Sequence, residues 1–139
     1  MFVPHGNYDI RVRGTVLYID ALGPWNLEAA QFFAETVRKQ VQEHLEPGPW
    51  AMLAVIHNEG VYTNESSPII AELHLWRVEH GMRHVAIVNG PDSVTSVLTK
   101  YQFDSFYKQT PEECESRYFS TLGDAETWLI EQGYVIDKL

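Results

Sequence analysis

The sequence predicts an α/β fold of element order β-β-α-β-α-β-α-β-α: a mostly parallel five-stranded sheet with one antiparallel edge strand and helices covering the sheet. Three observations predict it. Ala51 to Ile56 and Val85 to Val88 are continuously apolar between chain breakers, the pattern of strands covered on both faces. Ala30, Phe33, Ala34, Val37, Val41 and Leu45 recur at helical spacing, giving one apolar stripe. Strand-like and helix-like segments then alternate along the chain, which requires crossover connections and therefore parallel strands.

Each element has its own signal. Tyr8, Ile10 and Val12 alternate with Asp9, Arg11 and Arg13, as in a strand with one wet face. A tight turn at Arg13, Gly14 and Thr15 leads into Val16 to Ile19, apolar on both sides, so these strands form a hairpin with the first at the sheet edge. Gly23, Pro24 and Trp25 punctuate the chain, and Asn26 is suited to cap the following helix, whose surface carries Glu35, Lys39, Gln42 and Glu43. Pro47, Gly48 and Pro49 end that helix before the central strand at Trp50 to Ile56. Ser67 and Pro68 open a second helix with Ile69, Leu73 and Trp76 facing inward, and Gly81 closes it. A buried strand at His84 to Val88 is followed by a turn at Asn89 to Ser93 and a third helix carrying Val94, Val97, Leu98 and Tyr101. Arg117 to Phe119 reads as the last strand, and Asp124 as the cap of a final helix with Ala125, Trp128 and Leu129 inside.

Size and charge narrow the partners. The 139 residues contain 45% hydrophobic and 21% charged side chains, the balance of one ordinary globular domain over residues 1–139. Ten basic residues face 19 acidic ones and are nowhere gathered into a run, which argues against nucleic acid and against anionic membrane surfaces. No apolar stretch has the length of a transmembrane segment, and no basic region followed by an apolar one opens the chain, so the expected location is cytoplasmic. Cys114 is the single cysteine; flanking Glu112, Glu113 and Glu115 are expected to raise its pKa and blunt its nucleophilicity.

In a parallel α/β sheet, ligands gather beyond the carboxyl ends of the strands, where loops and helix N-termini converge. That rule selects a rim of Trp25 and Asn26, then His57, Asn58, Glu59 and Tyr62, then Ser66 and Ser67, then Asn89, Asp92 and Ser93. For Asn26, Ser67 and Asp92 the alternative is a helix cap, since helix starts select those residue types anyway. His57 and Glu59 are spaced to act as base and orienting acid, but no nucleophile motif accompanies them. The six histidines show no dense ligand spacing; His80 and His84 straddle Gly81, and His80 suits a surface or helix-end role. No Gly-rich phosphate loop is present, so no catalytic residue, metal or cofactor is assigned. Trp50, Trp76 and Trp128 sit in core patterns, whereas the aromatic stretch Tyr101 to Tyr107, with Phe103 and Phe106, either covers an open sheet edge or forms an exposed patch.

The element order, the Gly23-to-Asn26 helix start, the apolar strands at 51–56 and 85–88, and Phe119 through Ala125 to Trp128 and Leu129 resemble the SpoIIAA-like fold. That group includes STAS domains and small bacterial proteins similar to the lipid-binding Sec14 type. The resemblance implies a non-catalytic interaction or regulatory module binding a protein partner or itself as a dimer. The alternative it implies is a carrier or sensor of a small apolar ligand. STAS regulators carry a phosphorylated serine at the start of the helix after the central strand, and by position Ser66 or Ser67 is its counterpart, within Asn64 to Pro68.

Overall fold

The computed structural model describes residues 7–22, 26–57, 65–89 and 112–137. The chain runs through β1 (Asn7–Arg13), β2 (Val16–Leu22), α1 (Leu27–His44), β3 (Trp50–His57), α2 (Ser67–Glu79), β4 (Met82–Asn89), β5 (Glu115–Phe119) and α3 (Leu122–Glu131). The sheet has five strands in the order β1-β2-β3-β4-β5. β1 is antiparallel to β2 at one edge, and every other neighbouring pair is parallel. The expected third helix and the aromatic stretch 101–107 lie outside the described residues.

Parallel strands added in one direction by right-handed crossovers place their helices on the same face. α1 and α2 accordingly share one core with Leu17, Ile19, Met52, Ala54, Ile56, Val85 and Ile87. The alternate residues of the same strands, Val16, Ala51, Leu53, Val55, Ala86 and Val88, form a second core on the opposite face under Ala125, Trp128 and Leu129 of α3. β3 contributes to both, which is why its sequence is apolar without interruption.

The starts of α1 and α3 are capped by side chains and that of α2 is not, and two of the three shift from the sequence expectation. Asn26 caps α1 as expected, its side-chain oxygen accepting from the Ala29 N–H at 3.0 Å. In α2 the cap position falls on Ser66 rather than Ser67, because the first intrahelical bond runs from the Ile70 N–H to the Ser66 carbonyl; Pro68 in the first turn gives up an N–H the helix does not need. In α3 the cap is Thr121, whose hydroxyl accepts from the Asp124 N–H at 3.2 Å. Asp124 thus occupies the first turn, where its carboxylate faces the positive end of the helix dipole.

The inward side of α2 also differs. Leu73 is buried as expected, but Ile70, His74, Arg77 and Val78 complete that side, while Ile69 and Trp76 lie on its shoulder. Trp76 is held there by stacking on His80 at 4.0 Å and by the Arg38 guanidinium at 5.8 Å from its ring centre. His80, at the helix end as expected, pairs with Glu46, and its carbonyl accepts from the Trp50 indole N–H at 2.8 Å.

The chain segment after α3 returns across the sheet to the β1–β2 turn. Thr15 donates its N–H to the Val135 carbonyl, and its hydroxyl accepts from the Val135 N–H, both at 2.9 Å. The buried Tyr134 places its hydroxyl 2.6 Å from His84 Nδ1. Gly14, at φ +67°, lies so close beneath this strap that an added Cβ would stand 2.2 Å from the Val135 oxygen. Among the described residues no helix is long and apolar enough to cross a membrane.

Candidate functional site

Strand alternation separates the two faces of the hairpin. Tyr8, Ile10 and Val12 pack toward α1, so Asp9, Arg11 and Arg13 point to the α3 side, together with Val16, Tyr18 and Asp20 of β2. α3 packs on β3, β4 and β5, and at its margin Glu126 reaches toward the hairpin, 3.5 Å from Arg13. Among the described residues, α3 thus leaves much of the β1–β2 half of this face open: Asp9 is 51% exposed, Arg11 48% and Asp20 41%, with His57 at 45% beside them, whereas Arg13, next to Glu126, is 12% exposed.

The register arranges these groups in rows. Asp9 stands opposite Asp20, Arg11 opposite Tyr18, and Arg13 opposite Val16. Like charges directly across a strand pair repel. Each aspartate has a local partner: the Arg11 guanidinium, with Nε 2.7 Å from Asp9, offsets that charge, and His57 Nε2 lies 2.7 Å from Asp20. Tyr18 sits between them at the border of the core, with the Arg13 guanidinium 5.2 Å above its ring. Burial raises the Tyr18 phenol above its usual pKa, with the Asp20 charge adding to the rise, so it stays a neutral donor. Arg13 is fixed further by donating from Nε to the Asp137 carbonyl at 2.9 Å.

The carboxylate beside His57 is thus Asp20 on the neighbouring strand. Glu59, its expected partner, lies outside the described residues, as do Trp25, Asn58, Tyr62, Asp92 and Ser93. Asn26 serves as the α1 cap, and Asn89 ends β4 in register with Ile56. Ser66 is fully buried while Ser67, the first residue of α2, is partly exposed. Of the expected rim, His57 alone is brought into the paired cluster described here.

Sequence reasoning missed Tyr18, Asp20 and the buried pair His74 and Arg77. A signal existed for the first two: closing the hairpin at Gly14 fixes Arg11 opposite Tyr18 and Asp9 opposite Asp20, so the wet side of β1 marks the wet side of β2. For the second pair the signal was polar residues four and seven places after Ile70, on the helix's inward stripe. His74 is 1% exposed and Arg77 3%; burial, with the Arg77 charge adding to it, pushes the His74 pKa down to about 3. Cys114 is pushed up to about 11, as expected in direction, but burial is the larger cause; Glu115 adds to the rise, and Arg77 and Arg83 oppose it. Among the described residues no group of three or more His, Cys, Asp or Glu side chains could hold a metal ion.

A crystal structure of an uncharacterized DUF3478-family protein from Shewanella loihica PV-4, described as having a SpoIIAA-like fold, superposes with a TM-score of 0.62. The match covers 93% of this chain and 97% of that one at 16% identity. The fold is SpoIIAA-like. No established family pattern matches the sequence, and no curated protein matches it. Within the SpoIIAA-like frame, the half-covered α3 face and its paired charges are features of this chain's own residues.

Proposed function

We propose that this SpoIIAA-like domain is a non-catalytic, STAS-like interaction module that recognises a protein chain through the β1–β2 half of its α3 face. One observation carries the reading: a sheet face that the adjacent helix leaves half uncovered, set with an aromatic side chain among charges of both signs. Such a surface has little to offer an apolar cargo, because its exposed groups are ionic. It suits a protein partner, whose own charges and hydrogen-bonding groups match those presented here. Exposed ion pairs such as Arg11–Asp9 contribute only about 0–1 kcal/mol to stability, so they are free to exchange partners at little cost to the fold.

The test is a photo-reactive amino acid placed at position 18 in the producing cells, with Gln42, exposed on α1 away from this face, as control. The reading expects a discrete protein adduct from position 18 that position 42 does not give. Equal labelling from both positions, or no protein adduct from either, would overturn it.

A further inference from the structure

The outer edge of β1 is self-complementary. The hairpin closes over Gly14 and Thr15 with Arg13 opposite Val16, so Arg13, Arg11 and Asp9 turn their backbone N–H and C=O groups toward β2. The intervening Ile10 and Val12 turn theirs outward. Natural sheet edges are blunted by proline, lysine or a bulge, and none of these interrupts the 7 residues of β1. Among the described residues no strand pairs with that edge. Laid against a second β1 reversed about Ile10, every residue meets a compatible one: Ile10 meets Ile10, Tyr8 meets Val12, Asn7 meets Arg13 and Asp9 meets Arg11. The neighbouring twofold registers, centred on Asp9 or on Arg11, set two like charges directly across the strands.

We infer that β1 pairs antiparallel with the β1 of a second copy of this chain about a twofold axis normal to the sheet at Ile10. Ile10 exchanges its N–H and C=O with the partner's Ile10, and Asp9 lies across from the partner's Arg11. No contact within the chain has to break. Arg11 meets its own Asp9 through Nε, and its terminal nitrogens can donate to the partner's Asp9, so the four charges alternate in sign. α3 lies over β3, β4 and β5, away from the axis. α1 is the element to clear. It packs on α2, and α2 packs on β4, three strand spacings or about 14 Å in from β1. Packed helices stand about 8–10 Å apart, which puts α1 about 5 Å inboard of β1 and the two copies of α1 about 15 Å from each other. α1 reaches β1 from that inboard position through Phe33, whose ring meets Tyr8 edge-on at 5.5 Å.

This edge is distinct from the half-face proposed above for recognition, and the inference does not rest on that reading. Pairing joins the two half-faces into one floor four strands wide between two copies of α3. The chain's formal charge of −9 opposes self-association, but β1 holds two arginines and one aspartate, so the edges that approach are not themselves acidic. One strand pair buries well under the ~800 Å² per partner of a standard interface, so the dimer is weak.

Sedimentation equilibrium of the purified chain from roughly 10 μM to 1 mM covers weak association and tests the inference. Wild type is expected to pass from monomer to dimer, and the Ile10 amide to exchange more slowly as the dimer forms. Asp9→Arg and Arg11→Glu each place like charges across the axis and should each weaken association at least tenfold. Mixing the two variants restores opposite charges at both Asp9–Arg11 contacts, so the mixture should dimerise where neither variant does alone; that rescue also excludes misfolding as the cause of the loss. A monomer throughout the range overturns the inference, as does a dimer that both charge reversals leave intact or one in which the Ile10 amide gains no protection. If the position-18 cross-link joins the chain to a different protein while the purified chain stays monomeric, the edge inference fails and the interaction reading survives.

Discussion

Replacing Gly14 by alanine tests how much the strap at residues 134–137 contributes to the fold. The backbone at Gly14 has φ +67°, a region that costs an L-residue about 1–2 kcal/mol. The new Cβ would stand 2.2 Å from the Val135 oxygen and 2.8 Å from its carbonyl carbon, both backbone atoms that cannot rotate aside. The strap must lift, and with it go the paired bonds between Thr15 and Val135, each 2.9 Å long. At about 1 kcal/mol per net hydrogen bond, strain and lost bonds together destabilise the protein by roughly 3–4 kcal/mol. Urea unfolding monitored by tryptophan fluorescence should show the midpoint fall at unchanged slope. Amide exchange in the variant should accelerate first at Thr15 and Val135. A loss below about 1 kcal/mol, with protection at those amides intact, would refute the packing argument, since it would mean the strap shifts at almost no cost.

Other perturbations have equally definite outcomes. His74 is held neutral with a pKa of about 3, against 6.5 unperturbed, so as pH falls below about 6.5 the unfolded chain binds a proton that the folded chain does not, and stability drops. His74→Gln should flatten the decline between about pH 6.5 and 5, above the main carboxylate range, in a series of denaturant titrations. Cys114, with its thiol pushed up to about 11, should resist a disulfide-exchange reagent at pH 8 in the native state and react on the mixing time scale in urea. Ser66→Glu buries a carboxylate at a fully enclosed position and should lower stability by several kcal/mol. Ser67→Glu, partly exposed at the first turn of α2, should stay within about 1 kcal/mol of wild type in thermal melts, a contrast that decides which serine can accept phosphate without unfolding the helix start.

Much of the fold was legible because the relevant signals are local. The alternation at Tyr8 to Val12 marked an edge strand, and the apolar runs at 51–56 and 85–88 marked strands covered on both faces, as their places in two separate cores bear out. The stripe from Ala30 to Leu45 is buried along its whole length. Helix starts were legible to within one turn: Asn26 caps as read, whereas Ser66 and Thr121 displaced Ser67 and Asp124, residue types found both at the cap and just inside it. The site was less legible because it depends on register. Asp20 belongs beside His57 only once β2 and β3 are set in parallel, a relation between residues 37 positions apart that no local pattern carries. His74 and Arg77 were hidden for the opposite reason: a polar residue on a helix ordinarily signals solvent, and here the side chains go under the helix.

The strand order β1-β2-β3-β4-β5 means that every strand finds its neighbour in the segment synthesised just before it. Nothing in the sheet has to wait for a strand made later, so the layers are able to assemble in the order they emerge from the ribosome. The strap is the exception: Val135 must travel back across 120 positions to reach Thr15. Its closure comes after the sheet is built, so a segment far downstream of the five strands fastens the turn between β1 and β2.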